Sequence, residues 1–209
     1  MTGLCLEAQA DQQSLIPFRQ LHATSALFFG LLALAASTIH LGRPLYAFRA
    51  ILGIRHSWLS REIIAFGAFA ASAMIFAAAC WLKPQHWAVD LLEIVVAASG
   101  AAGVFSSVMI YVVTGREFWS FGWTAAKFVL TSAVLGIATT WFLILLFAVF
   151  IDNSAANLLS ESVSPTLVKA LIAASVAKLL LEVSVFRFLF ARRNSPLKRS
   201  AQLLSLIHI

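Results

Sequence analysis

The sequence predicts an all-α protein, a polytopic bundle of transmembrane helices. Three observations carry this: the apolar content, the length of the apolar runs, and the alternation of charge between them. Of the 209 residues, 61% are hydrophobic and 11% charged, with a mean hydropathy of +0.90. Soluble domains run at about 45–50% apolar and about 25% charged, so lipid must be the solvent for much of this surface. A spanning helix needs roughly 20 apolar residues, and the apolar runs here are long and uninterrupted. A membrane β-barrel would instead show alternating segments of roughly 10 residues.

Taken in order, residues 1–20 form a polar N-terminal segment of mixed composition with no secretory signal. Residues 21–203 form the transmembrane domain, with about five spans. The first runs from about Leu21 to Leu41 and is ended by Gly42 and Pro44, since proline cannot continue a helix and glycine permits the turn. The second spans about 62–82 and the third about 87–113, where Gly100 and Gly103 suit close helix packing. The fourth spans about 123–151 and the fifth about 165–190. In the fifth, Lys178 and Glu182 share one helix face and read as a mutually neutralised pair rather than a proton relay. Trp58, Trp81, Trp87, Trp119 and Trp123 cluster at span ends, as an interfacial aromatic belt requires. Asp90 and Glu93, near the start of the third span, read as interfacial. Residues 204–209, Leu-Ser-Leu-Ile-His-Ile, match the translated sequence of a common transposase adaptor and read as a sequencing artefact, so His208 is given no function.

Charge alternates with loop parity. Arg43, Arg49, Arg55 and Arg61 lie in the first loop and Lys83 alone in the second. Arg116 lies in the third with Lys127 just beyond it, and the fourth has no Lys or Arg. Arg192, Arg193, Lys198 and Arg199 follow the last span. This bias places the first and third loops and the C-terminal tail in the cytoplasm and accounts for the net charge of +6 without nucleic acid as a partner. Two cysteines far apart make no metal or haem motif, and no two histidines pair at one depth on facing helices. Neither haem nor metal is expected on this chain.

The stretch from His40 to Glu62 carries the chemistry. His40 closes the first span and Glu62 opens the second, so both lie near one membrane face. A quinol loses two protons with its two electrons, and an imidazole and a carboxylate at the hydrocarbon edge suit the bonding of its ring oxygens and the acceptance of those protons. On spacing alone another reading stands beside this: a histidine at a helix C-terminus and a glutamate in a first turn both favour the helix dipole. A transporter is the competing class, but no internal repeat and no proline-broken span is visible.

His40-Leu-Gly-Arg-Pro44, Ala47-Phe-Arg49 and Ser57-Trp-Leu-Ser-Arg-Glu-Ile63 together resemble the membrane anchor subunit of dimethyl sulfoxide reductase. Tyr111, Arg116 and Trp119 in Ile110-Tyr-Val-Val-Thr-Gly-Arg-Glu-Phe-Trp119 are similar to that family's third loop, and Ser195–Ala201 resembles its link to the final helices. The resemblance implies an eight-span protein of the bacterial cytoplasmic membrane with no prosthetic group of its own. It would hold an iron–sulfur subunit and a molybdopterin catalytic subunit to the bilayer and oxidise menaquinol in anaerobic respiration. By the same resemblance the quinol site falls on His40 and Glu62, with Arg43, Arg61, Tyr111 and Arg116 on the same side as second-rank candidates. The family's first span and its last two are missing, which reads as an incomplete gene. Charge counting puts the His40–Glu62 loop in the cytoplasm, whereas relatives with exported catalytic subunits would carry it outside. A purely structural anchor without a quinol site is the further alternative, and the terminal acceptor is set by the catalytic partner.

Overall fold

The apolar runs fold as helices because in hydrocarbon every backbone N–H and C=O must find its partner within its own segment. The computed structural model describes residues 15–39, 49, 52–116, 119–150, 161, 163–184 and 186. Among these are five helices: α1 (Ile16–Ile39), α2 (Trp58–Leu82), α3 (Ala88–Val113), α4 (Phe121–Phe150) and α5 (Ser164–Ser184). The fold class is the expected all-helical one, and α1 to α4 are long and apolar enough to cross a membrane. The fifth expected span does not reach that standard among the described residues. Its helix α5 carries Lys169, Lys178 and Glu182 within 21 residues, which dilutes its apolar character.

Boundaries shift in two informative ways. Helix α1 begins at Ile16, which brings Arg19 into the helix. Helix α2 begins at Trp58, capped by Ser57 in an extended conformation (φ −122°, ψ 124°) whose hydroxyl accepts from the Ser60 amide. Gly53 lies so close to this first turn that an added Cβ would sit 2.6 Å from Ser60 Oγ. The turn between α3 and α4 passes through Gly115 at φ 62°, a left-handed conformation that glycine adopts without steric cost.

Helices α2 and α3 form the most extensive antiparallel pair, α5 packs on α4, and α1 lies on α2 and reaches α4. The α2–α3 interface is built on small residues. Phe66 covers Gly103, where a Cβ would meet its ring at 2.6 Å, and Phe69 lies between Gly30 of α1 and Gly100 of α3, at 2.8 and 3.3 Å from their would-be Cβ atoms. Ser72 and Ser99 share a hydrogen bond of 3.2 Å between the two helices. Toward one end a small core of Ala23, Phe76, Ala77, Cys80 and Val89 joins α1, α2 and α3. Phe147 and Ile144 of α4 bury against Leu15, Phe18 and Leu21 on the α1 side and Leu167 of α5. Large apolar side chains such as Leu32, Ile75, Ile94, Leu135 and Leu180 face outward, a surface that only lipid solvates without aggregation.

Candidate functional site

The small-residue interface carries one carboxylate inward at its loop end. The contacts Ser72–Ser99, Phe69–Gly100 and Phe66–Gly103 step along α2 and α3 in antiparallel register. The next step is Glu62 opposite Ser107, whose hydroxyl donates to Glu62 Oε1. Ser107 is buried, at 7% exposure, and its hydroxyl also lies 3.2 Å from the Gly103 carbonyl one turn back. Because α2 starts at Trp58, Glu62 stands beyond the first turn, where dipole stabilisation has largely fallen away. The helix-dipole explanation for this residue therefore falls away, and a partly buried carboxylate held by a neighbouring helix remains.

Arg61, next in the chain, is engaged locally. Its Nε donates to the Ile54 carbonyl at 3.0 Å and its Nη2 to the Arg55 carbonyl at 3.1 Å. The guanidinium also lies 4.2 Å from the Trp58 ring centroid. These bonds tie the incoming loop to the start of α2, and Trp58 in turn meets Phe105 of α3 edge to face. Arg61 thereby supports the Glu62 turn from the loop side.

Tyr111 lies one turn beyond Ser107 on α3, about 6 Å along the axis. Its ring meets Trp119 edge to face at 4.9 Å and Phe128 of α4 at 5.6 Å. Arg116 lies 5.1 Å from the Trp119 ring centroid. The structure thus brings Glu62 to Ser107, and gathers Tyr111, Arg116, Trp119 and Phe128 into a second group one turn further toward the same end. His40 and Arg43 lie outside the described residues, as do the 195–201 link and residues 204–209.

Sequence reasoning did not anticipate Ser107. Its trace is the spacing of Gly100, Gly103 and Ser107, which puts three small residues on one face of α3. Two ion-pair groups were also only half legible. Lys178 and Glu182 do pair, at 3.5 Å, but Lys127 of α4 joins them at 3.3 Å, so the carboxylate serves two lysines and ties α5 to α4. At the opposite end of the bundle Arg19 bridges Asp90 at 2.5 Å and Glu93 at 2.9 Å, joining α1 to α3. Beside it Gln20 donates to the Cys80 carbonyl at 3.1 Å and the Trp81 indole N–H to Thr24 at 3.0 Å. One polar atom is left over: Thr124 Oγ1 in α4 is buried with no hydrogen-bond partner among the described residues.

A curated relative, a subunit of the sulfite dehydrogenase of Allochromatium vinosum, is 29% identical over 163 residues, an alignment covering 71% of this chain and 46% of the relative. The chain therefore spans about half the length of the curated relative it matches. No solved structure matches. The sequence model of the family described as "DMSO reductase anchor subunit (DmsC)" matches residues 7–186, most of the chain and all of the helices above. That match covers a multi-span helical chain over most of its length: the chain belongs to the DMSO reductase anchor subunit family.

Proposed function

We propose that this anchor binds a quinol where α2 and α3 meet their loops, takes its protons through Glu62, and passes its electrons to an iron–sulfur subunit that joins it to a molybdopterin catalytic subunit. The observation that carries the reading is the Glu62 carboxylate, displaced inward from the helix start and held across the interface by buried Ser107. A quinol hydroxyl O–H bond breaks, an O–H bond forms on the carboxylate, and the ring yields two electrons and a second proton as it becomes a quinone. His40, at the other end of the same loop in sequence, is the second proton acceptor in this reading. Tyr111 and its aromatic neighbours offer apolar faces on which a quinol ring stacks. Menaquinol is the quinol the family resemblance favours, and the bacterial cytoplasmic membrane is the site of action.

The test is quinol-dependent turnover of the assembled complex carrying Glu62→Gln or His40→Leu, against turnover driven by a dye that reduces the catalytic subunit directly. Loss of the first by about 100-fold or more with the second unchanged supports the site. Unchanged quinol turnover in both variants sinks it and leaves an anchoring role alone. The relative's name favours a second reading on the same residues: a dehydrogenase releases electrons, so Glu62 would deliver protons to a quinone. The direction of net electron flow in the assembled complex separates the two.

A further inference from the structure

We propose that Ser107 is the positioning residue of this site, a hydroxyl that aims the Glu62 carboxylate and follows its change of protonation. The inference rests on the quinol reading of Glu62 given above. Its basis is that one hydroxyl proton faces two acceptors. Ser107 Oγ donates to Glu62 Oε1 on α2, and the Gly103 carbonyl on its own helix lies 3.2 Å away.

A hydrogen bond to an ionised carboxylate is roughly twice as strong as a neutral one, so with Glu62 charged the proton belongs to Oε1. That bond fixes the carboxylate plane from the neighbouring helix and leaves Oε2 as the oxygen free to meet a ligand. When Oε2 takes a proton from a quinol hydroxyl, Oε1 becomes a carbonyl-type acceptor and loses its advantage. The Ser107 proton then turns toward Gly103 O by rotation about a single bond. Both protonation states leave the buried hydroxyl with a partner, so neither incurs the cost of an orphaned polar group, and no helix has to move.

The surroundings leave this task to Ser107. Arg61, the adjacent cation in the chain, is directed to the Ile54 and Arg55 carbonyls. Tyr111 and Arg116 are gathered with Trp119 a turn further along. On the other flank of α2 the described part of α1 ends at Ile39 with no ionisable residue at this end. Among the described residues, it is Ser107 that hydrogen-bonds the Glu62 side chain. Its site is also prepared sterically: Gly103 lets Phe66 and α2 approach closely enough for the bond to form.

The experiment compares Ser107→Ala, Ser107→Thr and Glu62→Gln in the assembled complex, with quinol-dependent kinetics and redox-induced infrared difference spectra. Ser107→Ala removes a small buried hydroxyl without adding volume, and dye-driven turnover reports intact assembly. The expected result is a kcat lowered by about 10- to 100-fold, the order of loss when a reacting group is no longer held in its attack geometry, with KM changed little. Ser107→Thr, which keeps the hydroxyl, restores most of the rate. The carboxylate stretching band that Glu62→Gln abolishes shifts in frequency in Ser107→Ala, because the ionised form is the one that Ser107 bonds. If Glu62→Gln impairs turnover but Ser107→Ala leaves both kcat and the band in place, Ser107 has no positioning role. If Glu62→Gln itself leaves turnover intact, Glu62 takes no quinol proton and this inference fails with that role, while the quinol reading as a whole falls only if His40→Leu is also without effect. A loss in Ser107→Ala that Ser107→Thr does not restore, with the band unmoved, assigns the residue to packing and overturns the proposal.

Discussion

Gly103→Ala should separate α2 from α3 at the place where Glu62 is held, and its magnitude follows from the geometry. The added Cβ would lie 2.6, 2.7 and 2.9 Å from three ring atoms of Phe66. Favourable carbon contacts are about 3.5–4.0 Å, so the ring or the helix must retreat by roughly 1 Å. Overpacking of this kind costs about 1–3 kcal/mol, while exchanging glycine for alanine in a helix returns about 1 kcal/mol. A single-variant stability therefore hides the clash. The double-mutant cycle with Phe66→Ala exposes it, because the helix-propensity gain is present in both arms and cancels, and the second change removes all three clashing ring atoms. The expected coupling is about 1–3 kcal/mol, favourable when both changes are present, measured by detergent-driven unfolding in mixed micelles. Where the helix gives way, the same retreat lengthens and weakens the Ser107–Glu62 bond, and under the proposed function quinol turnover should fall in Gly103→Ala and partly recover in the double variant. A coupling below about 0.5 kcal/mol, within the usual error of additivity, would refute the close approach of α2 and α3 inferred from Phe66 and Gly103.

Two further outcomes follow from the polar groups. Glu182→Gln leaves Lys127 and Lys178 together without their shared carboxylate. With side chains 28–44% exposed, the loss should be about 1–2 kcal/mol, below the value for a fully buried pair. Lys178→Met should cost less than half as much, since Lys127 still neutralises Glu182, and equal losses in the same unfolding assay would contradict the three-membered arrangement. Thr124→Val removes a buried hydroxyl that has no partner among the described residues. It should leave stability unchanged or raise it by about 1 kcal/mol, and a loss above that amount in thermal unfolding of the complex would show that the hydroxyl is bonded.

The reach of the sequence differs from residue to residue for physical reasons. Helical segments are legible because hydrocarbon forces any apolar run of sufficient length into a helix. α2, α3 and α4 therefore lie close to where the runs of apolar residues put them. Ends are legible where a capping residue or a breaker marks them. Ser57 caps an α2 that starts four residues before the expected Glu62, and that shift turns Glu62 from a first-turn residue into one set inward. The fifth expected span is less sharply marked: among the described residues Lys169, Lys178 and Glu182 lower the apolar character of its helix below that of the other four.

The sequence by itself determined that this is a polytopic bundle of apolar helices, where its helices run, and that Glu62 stands at the loop end of one of them. Only the tertiary structure decided what each polar side chain meets: Ser107 for Glu62, Lys127 beside Lys178 for Glu182, and Arg19 for Asp90 and Glu93. The reason is that lipid and a neighbouring helix are equally apolar, so the face a helix turns to its partner leaves little imprint in the hydropathy pattern. Rotation and depth are set by how side chains interlock. Along α2 and α3 that fit is Phe66 on Gly103 and Phe69 on Gly100, and it is this register that delivers Ser107 to the carboxylate.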